Sequence, residues 1–204
     1  MTTQIIYNEQ KLIELILYIG AKCCLDEHYG VLKLNKILFY SDFTAFKTRG
    51  EAITGAEYRK YPHGPAPAVM KVLKHQLAQS GEVFEYENPL PGLDAEGQPM
   101  SEKRLLPKRK PEIDELFDAE EVAVVDEVIK WLRPMTGTQV SRMSHRHPGW
   151  QLVGMEQEIP YSTALLSEEP PAPLPAKDHQ RAVAVADRFE AGGYVFGETR
   201  AGAD

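Results

Sequence analysis

Residues Lys33 to Val69 read KLNKILFYSDFTAFKTRGEAITGAEYRKYPHGPAPAV, and the arrangement of the rest of the chain follows from this stretch. Leu34, Ile37, Leu38 and Tyr40 or Ser41 recur at spacings of three and four, and Phe43 and Phe46 continue the series, which predicts a helix with one buried face. Gly50 follows Arg49 where that helix should stop, since only glycine enters the left-handed conformation without a Cβ penalty. Ile53-Thr54-Gly55 and Tyr58-Arg59-Lys60-Tyr61 are β-branched or aromatic residues bounded by turn formers, so two short strands or one hairpin are expected. Beyond them, His63-Gly64-Pro65 makes a tight corner, and Pro67 is placed in the first turn of the next helix.

Upstream, Asn8 is suited to cap a first helix reaching about Cys24, with Leu12, Ile13, Leu15, Ile16 and Ile19 giving it a broad apolar face. Downstream, a third helix is predicted from Pro67 to Ser80, with Val69, Val72, Leu73 and Leu77 as its core stripe. Glu82 to Tyr86 alternates acidic with apolar residues, the pattern of a half-buried strand, and Lys103 to Pro107 is its expected partner. Five prolines and glycines between Asn88 and Ser101 (Pro89, Pro91, Gly92, Gly97, Pro99) predict a long loop between those strands. Asp118 and Glu121 have capping-box spacing before a helix to Leu132, which Pro134 ends. Thr136 or Thr138 then caps another helix, broken at Pro148-Gly149. The fold class is α+β and mostly α, with five to six helices and a small antiparallel sheet or hairpins. Residues 1–166 form the domain, 167–177 a proline-rich linker, and 178–204 a C-terminal helix with a frayed tail.

The pattern LNKILFYSDF, a glycine, ITGAEY and then YPHGPAP resembles the signature of the Panacea antitoxin domain, the SocA-like and GepA-like family of bacterial, phage and prophage proteins. Val140-Ser141-Arg142-Met143-Ser144-His145 with Trp150 is similar to a second segment of that family, and the resemblance of the Ile-Pro segment after the tryptophan implies a last short strand over Glu156 to Tyr161. Ser41 stands where the family usually has alanine, and Ala66 where valine is common. The matched residues are Leu34, Lys36, Tyr40, Asp42, Phe43, Gly55, Gly64, Pro65, Ser141, His145 and Trp150, read as structural. The resemblance implies an antitoxin that neutralises a co-encoded toxin by direct binding. In the SocA-like variant it also implies delivery of the toxin to a cytoplasmic protease.

Composition fits a globular chain. The 204 residues include 43% hydrophobic and 26% charged, and the net charge of −7 argues against general attraction to nucleic acid or anionic lipid. Charge is nevertheless uneven. Between Val31 and His75 lie Lys33, Lys36, Lys47, Arg49, Arg59, Lys60, Lys71 and Lys74 against Asp42, Glu51 and Glu57, whereas residues 112–127 are acidic without a basic residue. Such polarity steers a charged partner, and solvated helix faces or attraction between the two halves account for it equally well. No membrane span or leader is expected, and the reading is cytoplasmic, with Cys23 and Cys24 reduced.

Motifs for phosphate cradles, dinucleotide binding and zinc hydrolysis do not occur in the sequence. His145 and His147, two apart on a helix, face different ways, so no metal is expected, nor any cofactor or catalytic residue. His145 is read as an interior hydrogen-bonding residue at a helix end, and Trp150 as core. Lys36, Asp42, Tyr40 and Tyr58 could gather for proton transfer, but the polar flank of a core helix looks the same. A DNA-binding regulator is the alternative reading, thinly supported because only Arg142 and Arg146 make the helix after Thr136 basic. For a toxin, Tyr58, Arg59, Tyr61 and His63 are the expected anchors, since loops on rigid elements commonly carry recognition. The C-terminal helix is a second candidate, as a toxin-clasping or self-associating arm.

Overall fold

A computed structural model describes residues 5–93 and 99–166. The expected linker and C-terminal helix lie outside the described residues. Asn8 caps α1 (Glu9–Lys22) by accepting from the Lys11 amide, and Gly50 closes α2 (Val31–Arg49) in the left-handed conformation at φ 81°. The capping box at Asp118 and Glu121 is present in both directions and starts α5 (Ala119–Leu132). Thr136, paired with Gln139 in the same way, starts α6 (Gly137–Ser144).

Between these lie β1 (Tyr58–Arg59), β2 (Ala66–Pro67), α3 (Met70–Gln79), β3 (Val83–Leu93), β4 (Pro99–Pro107) and the short α4 (Ile113–Leu116). After α6 come α7 (Pro148–Leu152) and a 3₁₀ turn over Tyr161–Leu165. The described residues thus hold seven helices and two antiparallel pairs, β1 with β2 and β3 with β4. The architecture is α+β and mostly helical. None of the described helices is long and apolar enough to cross a membrane.

α2 is the centre. Where one buried face was expected, Lys33, Leu34, Lys36 to Phe43 and Ala45 are all buried, because α1, α5, α6, β2, β4 and the 3₁₀ turn surround the helix. Phe39, Phe43, Tyr58 and Tyr161 make edge and stacked contacts with ring centroids 4.2–6.1 Å apart. Burying these four rings out of water helps hold α2 against the later segments.

Several expectations are corrected. Ile53-Thr54-Gly55 is not a strand: the Thr54 amide is taken by the Asp42 carboxylate, and Tyr58–Arg59 pairs with Ala66–Pro67. Pro67 therefore belongs to β2, and α3 begins only at Met70. Val72, assigned to the α3 core stripe, is exposed, and Met70 takes its place beside Leu73 and Leu77. The loop expected over 88–101 is largely strand, since the ladder from Val83↔Pro107 continues through Pro89↔Ser101 and resumes at Leu93↔Pro99 after an irregularity. In β3 it is Phe84 and Tyr86 that face outward, with Val83 buried. Glu85 sits instead between Lys74 and Lys103, and these ion pairs explain why it occupies the inner side. The strand expected near Glu156 is a single bridge, Arg59↔Glu158, flanked by backbone bonds from Lys60 to Gln157 and from Ile159 to Tyr58. α6 ends at Ser144, before the break expected at Pro148-Gly149, and Pro148 instead opens α7, whose cap is His147.

Candidate functional site

Three separated pieces of sequence meet along one side of α2: the corner from Tyr58 to Pro65, the end of α6, and α7. Two polar clusters result. In the first, Asp42 is fully buried and its carboxylate accepts from the Thr54 amide at 2.7 Å, the Thr54 hydroxyl and the Tyr58 hydroxyl at 2.7 Å. Burial nevertheless holds its carboxyl above the usual carboxylate range, the donors offsetting only part of the cost. Tyr161 covers the cluster and donates to the Ala56 carbonyl at 2.8 Å. Every strong donor near Asp42 is backbone or hydroxyl, so this cluster fastens the 53–58 segment onto α2.

The second cluster surrounds Lys36, which is 1% exposed. Gly64, at φ 93°, lies directly on it: a Cβ there would come within 2.7 Å of Lys36 Cε and 2.2 Å of Ser144 Oγ. Glycine is required here on both counts. Ser144 donates to the Ser141 carbonyl at 2.7 Å, and Ser141 Oγ donates to the His63 carbonyl at 2.8 Å, tying the corner to α6. His145 stacks on Trp150 with centroids 4.1 Å apart, Trp150 Nε1 donates to the Tyr61 carbonyl at 3.4 Å, and Lys60 Nζ lies 4.1 Å over the Trp150 ring.

Protonation follows this packing. Burial pushes the Lys36 ammonium down to about 7. His145 is lowered first by burial and then by the charges of Lys36, His63 and Lys60. His147 accepts from the Gly149 amide at 3.1 Å and sits edge-on to Phe39 and Phe43, where burial lowers it to about 4.

The motif residues therefore converge. A family model described as "Antitoxin SocA-like, Panacea domain" matches residues 34–151. The chain belongs to the Panacea domain family. No curated protein and no solved structure matches it significantly. In this Panacea domain the matched stretch supplies the residues of both clusters apart from Tyr161, and Lys36, Asp42, Gly64, Ser141, His145 and Trp150 all lie in them.

Tyr58, expected as a surface anchor, is fully buried with its hydroxyl on Asp42, so it is not offered to a partner. His63 is exposed, Tyr61 is half-buried, and Arg59, also half-buried, pairs with Glu57 at 2.5 Å. His145 stands at the end of α6 as expected, its backbone N–H donating to the Ser141 and Met143 carbonyls, but its side chain does not make the interior hydrogen bond expected of it: Nε2 is buried without a partner. Sequence reasoning also missed Lys33, buried against Asp26 at 2.7 Å, and Arg109, which bridges Glu14 and Glu82. Spacing alone gives no sign of either, because each partner arrives from a different element.

Proposed function

We propose that this Panacea domain is the antitoxin of a toxin–antitoxin pair and neutralises a co-encoded toxin by binding it stoichiometrically, as a cytoplasmic protein and not as an enzyme. The carrying observation is the family match, which spans the central helix, the corner and the α6–α7 segment. The contact is assigned to the corner at Arg59, Tyr61 and His63, which is accessible yet braced by β2, α6 and the Glu158 bridge. A rigid backbone under exposed side chains lowers the ordering cost of association.

Co-expression with the product of the neighbouring reading frame tests the reading. Growth rescue with a complex that co-purifies at fixed stoichiometry is the expected result. Rescue in which the toxin disappears only when a cytoplasmic protease is present assigns delivery to the protease in addition to binding. A toxic neighbour that is not rescued, or rescue at strongly substoichiometric amounts, overturns the binding reading.

A further inference from the structure

α2 carries two lysines that are each 1% exposed, and the fold treats them differently. Lys33 Nζ has the Asp26 carboxylate at 2.7 Å and the Arg133 carbonyl at 2.9 Å, the ordinary way of compensating a buried ammonium. Lys36 Nζ has no hydrogen-bond acceptor and no carboxylate among the described residues. Its polar surroundings are basic. His145 presents a buried, unpartnered Nε2, and His63 and Lys60 stand close enough to lower His145 further.

No carboxylate forms an ion pair with Lys36, Lys60, His63 or His145 among the described residues. The nearby Ser144 hydroxyl is committed to the Ser141 carbonyl, and Trp150 closes the other face of the His145 ring. Several basic groups gathered against an aromatic wall, with no negative group among them, are matched to an anion. The cover over them is thin. Gly64 rests on Lys36 Cε and Nζ, whereas Pro62 and His63 are exposed, so the amine lies one backbone turn below the surface.

We propose that Lys36 and His145 form a receptor for a carboxylate side chain of the protein partner, inserted beneath the His63–Gly64 turn. The proposal deepens, and rests on, the reading of this corner as the toxin contact. Lys36 Nζ and His145 Nε2 are the two donors, while Lys60 is held nearby over the Trp150 ring with its Nζ donating to the Val153 carbonyl at 2.9 Å. An aspartate or glutamate suits the site better than a phosphate, because the space under a single glycine is small and the turn must lift to admit even a carboxylate. The entering charge supplies what Asp26 gives Lys33, and it raises Lys36 from its depressed value.

The probe is acetate, titrated into the full chain at constant ionic strength against chloride, with the Lys36 ¹⁵Nζ and His145 ¹⁵Nε2 resonances followed by NMR. A saturable shift of both with acetate, absent with chloride and lost in Lys36→Met, is expected. Equal shifts with the two anions, or an acetate response retained in Lys36→Met, overturn the proposal. Lys36→Met replaces the amine by an apolar chain of similar length. If it fails to fold, His145→Gln serves, with acetate binding expected to weaken about tenfold as one donor is lost. In co-expression, a folded Lys36→Met protein that holds its toxin as tightly as wild type removes the receptor and leaves the antitoxin reading standing. Failure of the wild type itself removes the antitoxin reading, and the partner role of the receptor with it.

Discussion

Lys36 and Asp42 share one helix, both out of water, and each stores free energy in its protonation state. For Lys36 the unfolded value is the ordinary 10.5 and the folded value about 7. Below about pH 7 both states hold the proton and the native state bears the full penalty of burying it. Between pH 7 and 10.5 only the unfolded chain keeps the proton, so stability rises with pH, and above that range the difference vanishes. Lys36→Met should therefore be more stable than wild type at pH 6.5, by on the order of 3 kcal/mol, with the advantage shrinking toward pH 10 in urea titrations. A parallel pH profile for the two proteins would show that Lys36 is not the group responsible. Asp42→Ala should go the other way, because it strips the Thr54 amide and the Tyr58 hydroxyl of their acceptor inside the core. A loss of about 3 kcal/mol is expected by denaturant unfolding, and a loss under 1 kcal/mol would mean that water or another acceptor replaces the carboxylate.

At the scale of elements, two left-handed glycines separate conformational cost from steric cost. Gly50 at φ 81° ends α2 with nothing near its missing Cβ, whereas Gly64 at φ 93° would drive one into Ser144 and Lys36. Gly50→Ala should lower stability by about 1 kcal/mol. Gly64→Ala should cost about 3 kcal/mol or more, since strain and overpacking add; equal thermal melts for the two variants would show that the α6 side yields. Helix ends were legible in the sequence because caps are local: Asn8, Gly50 and the Asp118–Glu121 box each act within a few residues. Pairings set at a distance were not. Pro67 reads as a helix start, yet β2 is fixed by Tyr58 across the corner, and prolines at 89 and 91 read as loop although the ladder runs past them. The convergence of Lys36, Gly64 and His145 was visible as matched motif positions, but the missing counter-charge was not, since it depends on which side chains fail to reach Lys36. Tyr58 was misplaced for the same reason: an aromatic residue in a corner gives no local sign that an aspartate from the preceding helix will take its hydroxyl inward.

Across the whole molecule, the acidic 112–127 segment and the basic end of α2 attract each other directly: Arg49 pairs with Asp118 at 2.6 Å and with Glu120 at 3.4 Å. Lys11 adds a partly buried bond to Glu121 at 2.6 Å. Of the basic residues between Val31 and His75, Arg49 thus helps hold the start of α5 against α2, while Lys33, Arg59 and Lys74 pair with Asp26, Glu57 and Glu85 instead. Lys11→Met should cost about 1 kcal/mol, and because the pair is shielded the loss should shrink only slightly in 1 M salt, as unfolding at two ionic strengths would reveal. The clasp of Tyr161 on the Ala56 carbonyl spans 105 residues of sequence. At translation speeds of roughly 5–20 residues per second, the ribosome needs roughly 5–20 s to make the chain between those two points. For that interval the nascent protein holds Tyr58 and Asp42 without their cover. A partner that met the growing chain in that interval would find the aromatic heart of the domain open, and the segment that shuts it is made only after α7.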